Sequence, residues 1–234
     1  MKNYRLLLLA ASVAFLAGCP TDSDDDDPAP PEETFATFNV EVKNTSANQP
    51  LSPLAVIGHS SDYQLFTIGE PASEALEMLA ESGDNSALLN EQVEGVSVQM
   101  AGSGVIPPSG NDTVTVTMDT SASPYLSVAS MLVNTNDAFV AETAMDLASL
   151  AVGESVRIAM PAWDSGTEAN DEAAETIPGP AAGGEGFNSA RDDNDRVSFH
   201  AGVISKDDGL DTSVLDATHR FQNPAAQLTI TRTE

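Results

Sequence analysis

Residues 113–118 run TVTVTM, bounded by Asn111-Asp112 on one side and Asp119 on the other. A period of two puts the valines and Met118 on one side of an extended chain and the threonines on the other, the signature of a half-buried strand. Working outward, Phe38, Val40 and Val42 alternate with Asn39, Glu41 and Lys43, and Val96, Val98 and Met100 alternate with Ser97 and Gln99. Val156, Ile158 and Met160 alternate with Arg157 and Ala159. Leu54 to Ile57 is a short apolar run, and Val197 to Ile204 and Leu228 to Arg232 complete the set. Tyr125 to Val133 (YLSVASMLV) is apolar on both faces, so it is expected centrally in a sheet. About eight strand candidates separated by turn residues predict an all-β antiparallel β-sandwich.

One segment departs from that period. In Pro71 to Ser82 (PASEALEMLAES), Ala75, Leu76, Leu79 and Ala80 fall at helical spacing. Ser73 is placed to cap its start and Gly83 to end it, and a second short turn is expected over Ser86 to Asn90. Residues 164–195 are rich in Gly, Ala and Asp without periodicity and read as a long loop.

The chain has 234 residues, 36 acidic and 9 basic, for a net charge of −27. A surface of that sign repels a phosphate backbone, which excludes nucleic acid as a partner and disfavours other polyanions. A single cysteine excludes a disulfide framework and a Cys-rich zinc site. That cysteine has a particular setting. Lys2 and Arg5 precede an uncharged apolar run, Leu6 to Leu16, which is followed by Ala17, Gly18 and Cys19. The run is short for a bilayer span and reads as the core of a signal peptide. Leu16-Ala17-Gly18-Cys19 resembles the bacterial lipobox, which implies removal of residues 1–18 and a lipid anchor on Cys19 that holds the protein to a membrane of the cell envelope. Residues 19–33, with PTDSDDDDPAPPEE after the cysteine, read as an acidic, proline-rich tether that buries nothing. The folded domain is assigned to residues 34–234.

Four segments, in order, resemble the spondin domain, an N-terminal module of animal extracellular-matrix proteins that also occurs in bacterial secreted proteins. They are Leu51-Ser52-Pro53-Leu54 with Gly58-His59-Ser60 and Tyr63; Gly69 to Leu89 (GEPASEALEMLAESGDNSALL); Met131 to Val140 (MLVNTNDAFV); and Ala162 to Glu168 (AWDSGTE). Ala138 and Ala141 stand where the family pattern has an aromatic and a glycine, and Glu168 where it has an aspartate. The resemblance implies a C2-like antiparallel β-sandwich and one Ca2+ held at its loop end by Asp137, Asp164 and Glu168. The residues suit that chemistry. Calcium takes about six to eight hard oxygens from carboxylates, carbonyls and water. Ser165-Gly166 allows a turn that aims Asp164 and Glu168 at one point. No Lys or Arg occurs between Lys43 and Arg157, against fourteen Asp and Glu, so few cations are at hand to neutralise Asp137. Asp192-Asp193-Asn194-Asp195 and Lys206 to Asp211 lack the glycine and glutamate spacing of a calcium loop and read as solvated turns.

No G-x-S-x-G, H-E-x-x-H, P-loop or G-x-G-x-x-G occurs. His59, Ser60 and Asp62 supply the residue types of a serine triad, but neighbours on a strand point to opposite faces, and a structural role is expected. The sequence reading is therefore a lipid-anchored, non-enzymatic adhesion or interaction module whose partner is an extracellular or envelope protein or glycan. The alternative is a metal-dependent hydrolase or carbohydrate-binding protein of the cell envelope using the same loops.

Overall fold

The computed structural model describes residues 34–190 and 193–234. The expected signal peptide, lipidated Cys19 and acidic tether lie outside the described residues. The described chain builds ten strands and two α-helices: β1 (Phe35–Asn44), β2 (Ala55–His59), α1 (Glu74–Ser82), α2 (Ser86–Asn90), β3 (Val96–Ala101), β4 (Asn111–Asp119), β5 (Tyr125–Met131), β6 (Ala138–Asp146), β7 (Ser155–Met160), β8 (Ala162–Asp164), β9 (Ser198–Phe199) and β10 (Ala226–Arg232). They form a four-stranded sheet ordered β4-β1-β10-β7 and a six-stranded sheet ordered β3-β2-β5-β6-β8-β9. Every pairing is antiparallel. The β-sandwich expected from the alternating segments is present.

The four-stranded sheet follows the period of two. Phe38, Val40 and Val42 of β1, Val114, Val116 and Met118 of β4, and Leu228 and Ile230 of β10 point into the core. Across from them lie Val56, Leu126, Val128 and Val140 of the other sheet. The outer face carries hydroxyl and amide pairs, such as Thr37 with Thr117 and Thr115 with Asn39, whose partners remain in water. The middle of the six-stranded sheet, β2, β5, the first half of β6 and β8, is buried on both faces, whereas the edge strands β3 and β9 are partly exposed. Its outer face presents Ala55, Ile57, Ala129, Phe139, Ala141 and Trp163, and α1 covers part of it with Leu76, Leu79 and Ala80.

This second burial explains the strands that the sequence pattern missed. Ala138 to Ala141 are buried on both sides, so β6 shows no alternation, and β8 is only three residues long. Conversely, only Ser198–Phe199 of the expected run Val197 to Ile204 is strand. β5 lies between β2 and β6, inside the sheet as its two apolar faces predicted.

The α1 termini match their sequence signals. Ser73 Oγ accepts a hydrogen bond from the Leu76 amide at 3.2 Å. Gly83, at φ +70°, turns its amide back to Leu79 O at 2.9 Å. Replacing Ser73 with Ala leaves the first-turn amides short of an acceptor. The Ser73→Ala protein is expected to lose about 1 kcal/mol in urea unfolding, with no change in the m-value.

Three irregular segments meet at one end of the sandwich. Gln49, after β1, donates from Nε2 to Asn134 O (3.1 Å) and His219 O (2.9 Å), and its Oε1 accepts from the Asn134 amide (3.2 Å). This buried amide ties the loop before β2, the β5–β6 connection and the segment before β10 into one rigid tip.

Candidate metal centre

Asp137 is the last residue before β6, and Asp164 is the last residue of β8. In the β6–β8 ladder Ala138 is paired with Asp164, which sets the two aspartates diagonally across adjacent strands. A tight turn follows Asp164. Gly166 sits at φ +73°, and its amide donates to Asp164 Oδ1 at 2.8 Å. A Cβ on Gly166 would lie 2.4 Å from Arg196 O and 2.6 Å from Arg196 N, so only glycine fits against that neighbouring backbone. The turn wraps the Asp137 carboxylate. Asp137 Oδ2 accepts from Ser165 Oγ (2.7 Å), the Thr167 amide (3.0 Å) and the Glu168 amide (3.3 Å). Asp137 Oδ1 is buried and has no hydrogen-bond partner among the described residues.

Asp137, Asp164 and His200 each offer a ligand atom within 4.8 Å of the others, and all three are buried. The fold thus brings together two of the three expected ligands, Asp137 and Asp164. Glu168 is also buried, and its amide reaches Asp137, but its carboxylate is not part of this convergent group. The sequence reading assigned no role to His200 or Asn170. Asn170 lies in the aperiodic stretch after β8, and His200 lies in the run expected as a strand, where the chain leaves the sheet after Phe199 and the side chain no longer follows the strand period.

Burial pushes the Asp137 carboxyl well above the ordinary carboxylate range. The Asp164 charge adds to the rise, and the three hydrogen bonds to Oδ2 oppose it. Burial lowers the His200 pKa, against the pull of Asp164. The neutral ring is fully engaged. Its Nδ1 accepts from the Gly202 amide (2.9 Å), which leaves the proton on Nε2 to donate to Asn170 Oδ1 (3.0 Å). Asn170 in turn donates from Nδ2 to Asp164 Oδ2 at 2.6 Å. With both ring nitrogens committed, the atoms left to meet a cation are oxygens. A buried carboxylate oxygen without a donor, beside a second carboxylate, suits a hard divalent ion better than a zinc-type site that needs a free imidazole nitrogen.

Glu172 lies behind this tip, buried, at φ +49°. Its Oε1 accepts from the Ile204 amide (3.0 Å), its carbonyl accepts from Val214 (2.9 Å), and its own amide donates to Asn136 Oδ1 (3.2 Å). Burial pushes its carboxyl up to about 7, and the Asp171 charge works in the same direction. Glu172 therefore fastens the C-terminal loops to the residue preceding Asp137.

The triad residue types do not assemble. Ser60 Oγ donates to Asp62 Oδ2 at 3.2 Å, and His59 Nδ1 lies 2.7 Å from Ser60 O. His59 Nε2 meets Ser127 Oγ of β5 at 2.8 Å, with the ring packed between Tyr63 and Tyr125. Both His59 and Ser127 are fully buried, which makes this a satisfied core contact. Asp193 Oδ2 accepts from the Asn194 side-chain amide at 2.9 Å, and Lys206–Asp208 forms a 3₁₀ turn closed by Gly209. Among the described residues, neither segment contributes to a convergent group of potential ligands.

Compared with known families, residues 38–179 match Spondin_N, and the chain belongs to that family. Membership supports an extracellular interaction module. No curated protein matches the chain. Among the described residues, no helix is long and apolar enough to cross a membrane.

Proposed function

We propose that this protein is a lipid-anchored, extracytoplasmic interaction module that binds calcium at the loop end of its sandwich. Cys19 carries the anchor, and the module faces an extracellular or envelope protein or glycan. Asp137 and Asp164 supply carboxylate oxygens to the ion, and Glu168, whose carboxylate lies outside the convergent group, would add a third only by turning toward them. Bound calcium would neutralise the buried carboxylates and hold the β5–β6 and β8–β9 loops as one surface. The observation that carries this reading is Asp137 Oδ1, a buried carboxylate oxygen with no donor among the described residues, set beside Asp164.

Calorimetric titration of the purified protein tests it. Calcium is expected to bind saturably and to raise the thermal midpoint, and Asp164→Ala is expected to abolish both effects. A wild-type protein that takes up no calcium, or an Asp164→Ala protein of unchanged affinity, overturns the reading.

A further inference from the structure

We propose that His200 and Asn170 are positioning residues of the cation site: they aim Asp164 and couple cation binding to the seating of residues 200–221. This inference rests on the calcium reading above. The bonds form one directed chain. The Gly202 amide is a fixed donor, so His200 Nδ1 must accept at 2.9 Å. The ring proton then sits on Nε2 and donates to Asn170 Oδ1 at 3.0 Å. That contact orients the Asn170 amide so that Nδ2 donates to Asp164 Oδ2 at 2.6 Å. A main-chain amide nearly forty positions further along the chain thus sets the direction of every bond down to the carboxylate.

His200 is held at both faces of this task. Its own amide donates to Ala162 O (3.1 Å), two residues before Asp164, and its ring packs on Phe221 with centroids 5.3 Å apart. The segment that carries it is anchored again where Glu172 receives the Ile204 and Val214 amides. On its far side, Gly202 and Phe221 line a cleft of about 630 Å³. Whatever lifts residues 200–203 from their seat removes the acceptor–donor chain that fixes Asp164, and by linkage a bound cation tightens that seat. Outer residues that orient a ligating side chain typically contribute tenfold to hundredfold to metal affinity.

The test is calcium affinity measured by calorimetry for wild type, Asn170→Ala, His200→Ala, His200→Gln and the double Ala variant, together with amide exchange over residues 200–204 with and without calcium. Each Ala variant is expected to lose about tenfold or more in affinity. The double variant should lose no more than one single variant, because both act along one path. His200→Gln keeps a side-chain N–H for Asn170 and is expected to stay close to wild type. Calcium should slow exchange at residues 200–204 in wild type and not in His200→Ala. Asn170→Ala leaves the Phe221 packing intact and so tests the chain even where His200→Ala fails to fold.

Unchanged affinity in Asn170→Ala, or fully additive losses, overturns the positioning role while leaving calcium binding in place. So does a loss confined to the His200 variants with preference for zinc over calcium, since that marks His200 as a direct ligand. A wild-type protein that binds no calcium overturns the reading on which the inference rests.

Discussion

Asp137→Asn is expected to leave the metal-free protein at least as stable as wild type and to erase its response to calcium. The three donors that reach Oδ2 also suit a carbonyl oxygen of the amide, so the wrapped turn from Ser165 to Glu168 persists. What disappears is a buried ionisable group next to Asp164, which in metal-free wild type must either hold a proton or carry a desolvated charge, and so opposes folding as pH rises. The same substitution removes the donor-free oxygen that a cation needs. A ligand at one hundred times its dissociation constant stabilises the folded state by about 2.7 kcal/mol. For a domain of this size that corresponds to a thermal shift of roughly 5–10 °C. Wild type is expected to show such a shift in saturating calcium, and Asp137→Asn none. A calcium-induced shift retained in Asp137→Asn would remove this carboxylate from the site.

The pH dependence has a definite sign. The folded-state pKa of Asp137 is raised, so the folded protein keeps a proton that the unfolded chain has released. Its contribution to metal-free stability is complete below the ordinary carboxylate range and is lost as pH rises through the raised value. Glu172, pushed up to about 7, acts in the same direction. Without calcium, the protein should melt higher at pH 5 than at pH 8. Calcium competes with the Asp137 proton, so its stabilising effect should be larger at pH 8. Melting curves at the two pH values, with calcium and with chelator, check both halves, and Asp137→Asn should flatten the metal-free slope.

Gly166→Ala is expected to damage both stability and the site. The residue sits at φ +73°, where a side chain costs about 1–2 kcal/mol before any contact is counted. Its Cβ would fall 2.4 Å from Arg196 O, on backbone that cannot rotate away as a side chain does. The turn must open, and with it go the Gly166 amide on Asp164 and the Thr167 and Glu168 amides on Asp137. The combined loss should reach at least about 2 kcal/mol in chemical denaturation. Calcium affinity should fall with it, although no carboxylate has been altered. Wild-type stability in Gly166→Ala would show that the turn relaxes at little cost.

The helix and the half-buried strands were legible because each carries its own period and its own punctuation. Ser73 and Gly83 do at the ends of α1 what their residue types predict, and the valines of β1 and β4 face the core as alternation requires. β6 was not legible. Its first residues are buried on both faces by partners distant in sequence, so alternation has no physical cause there. Within the site, Asp137 and Asp164 were found through the motifs that contain them. His200 and Asn170 were not, because a loop side chain acquires its role from whatever folds against it.

Composition, charge and local pattern thus determined by themselves that the chain builds an acidic antiparallel sandwich with a capped helix. Those properties depend on each residue and its near neighbours. Which carboxylates meet, which oxygen lacks a donor, and which amide orients His200 were decided only by tertiary structure. The β6–β8 pairing, the Gly166 turn and the seating of residues 200–221 join segments dozens of residues apart, and no local preference encodes distances of that kind.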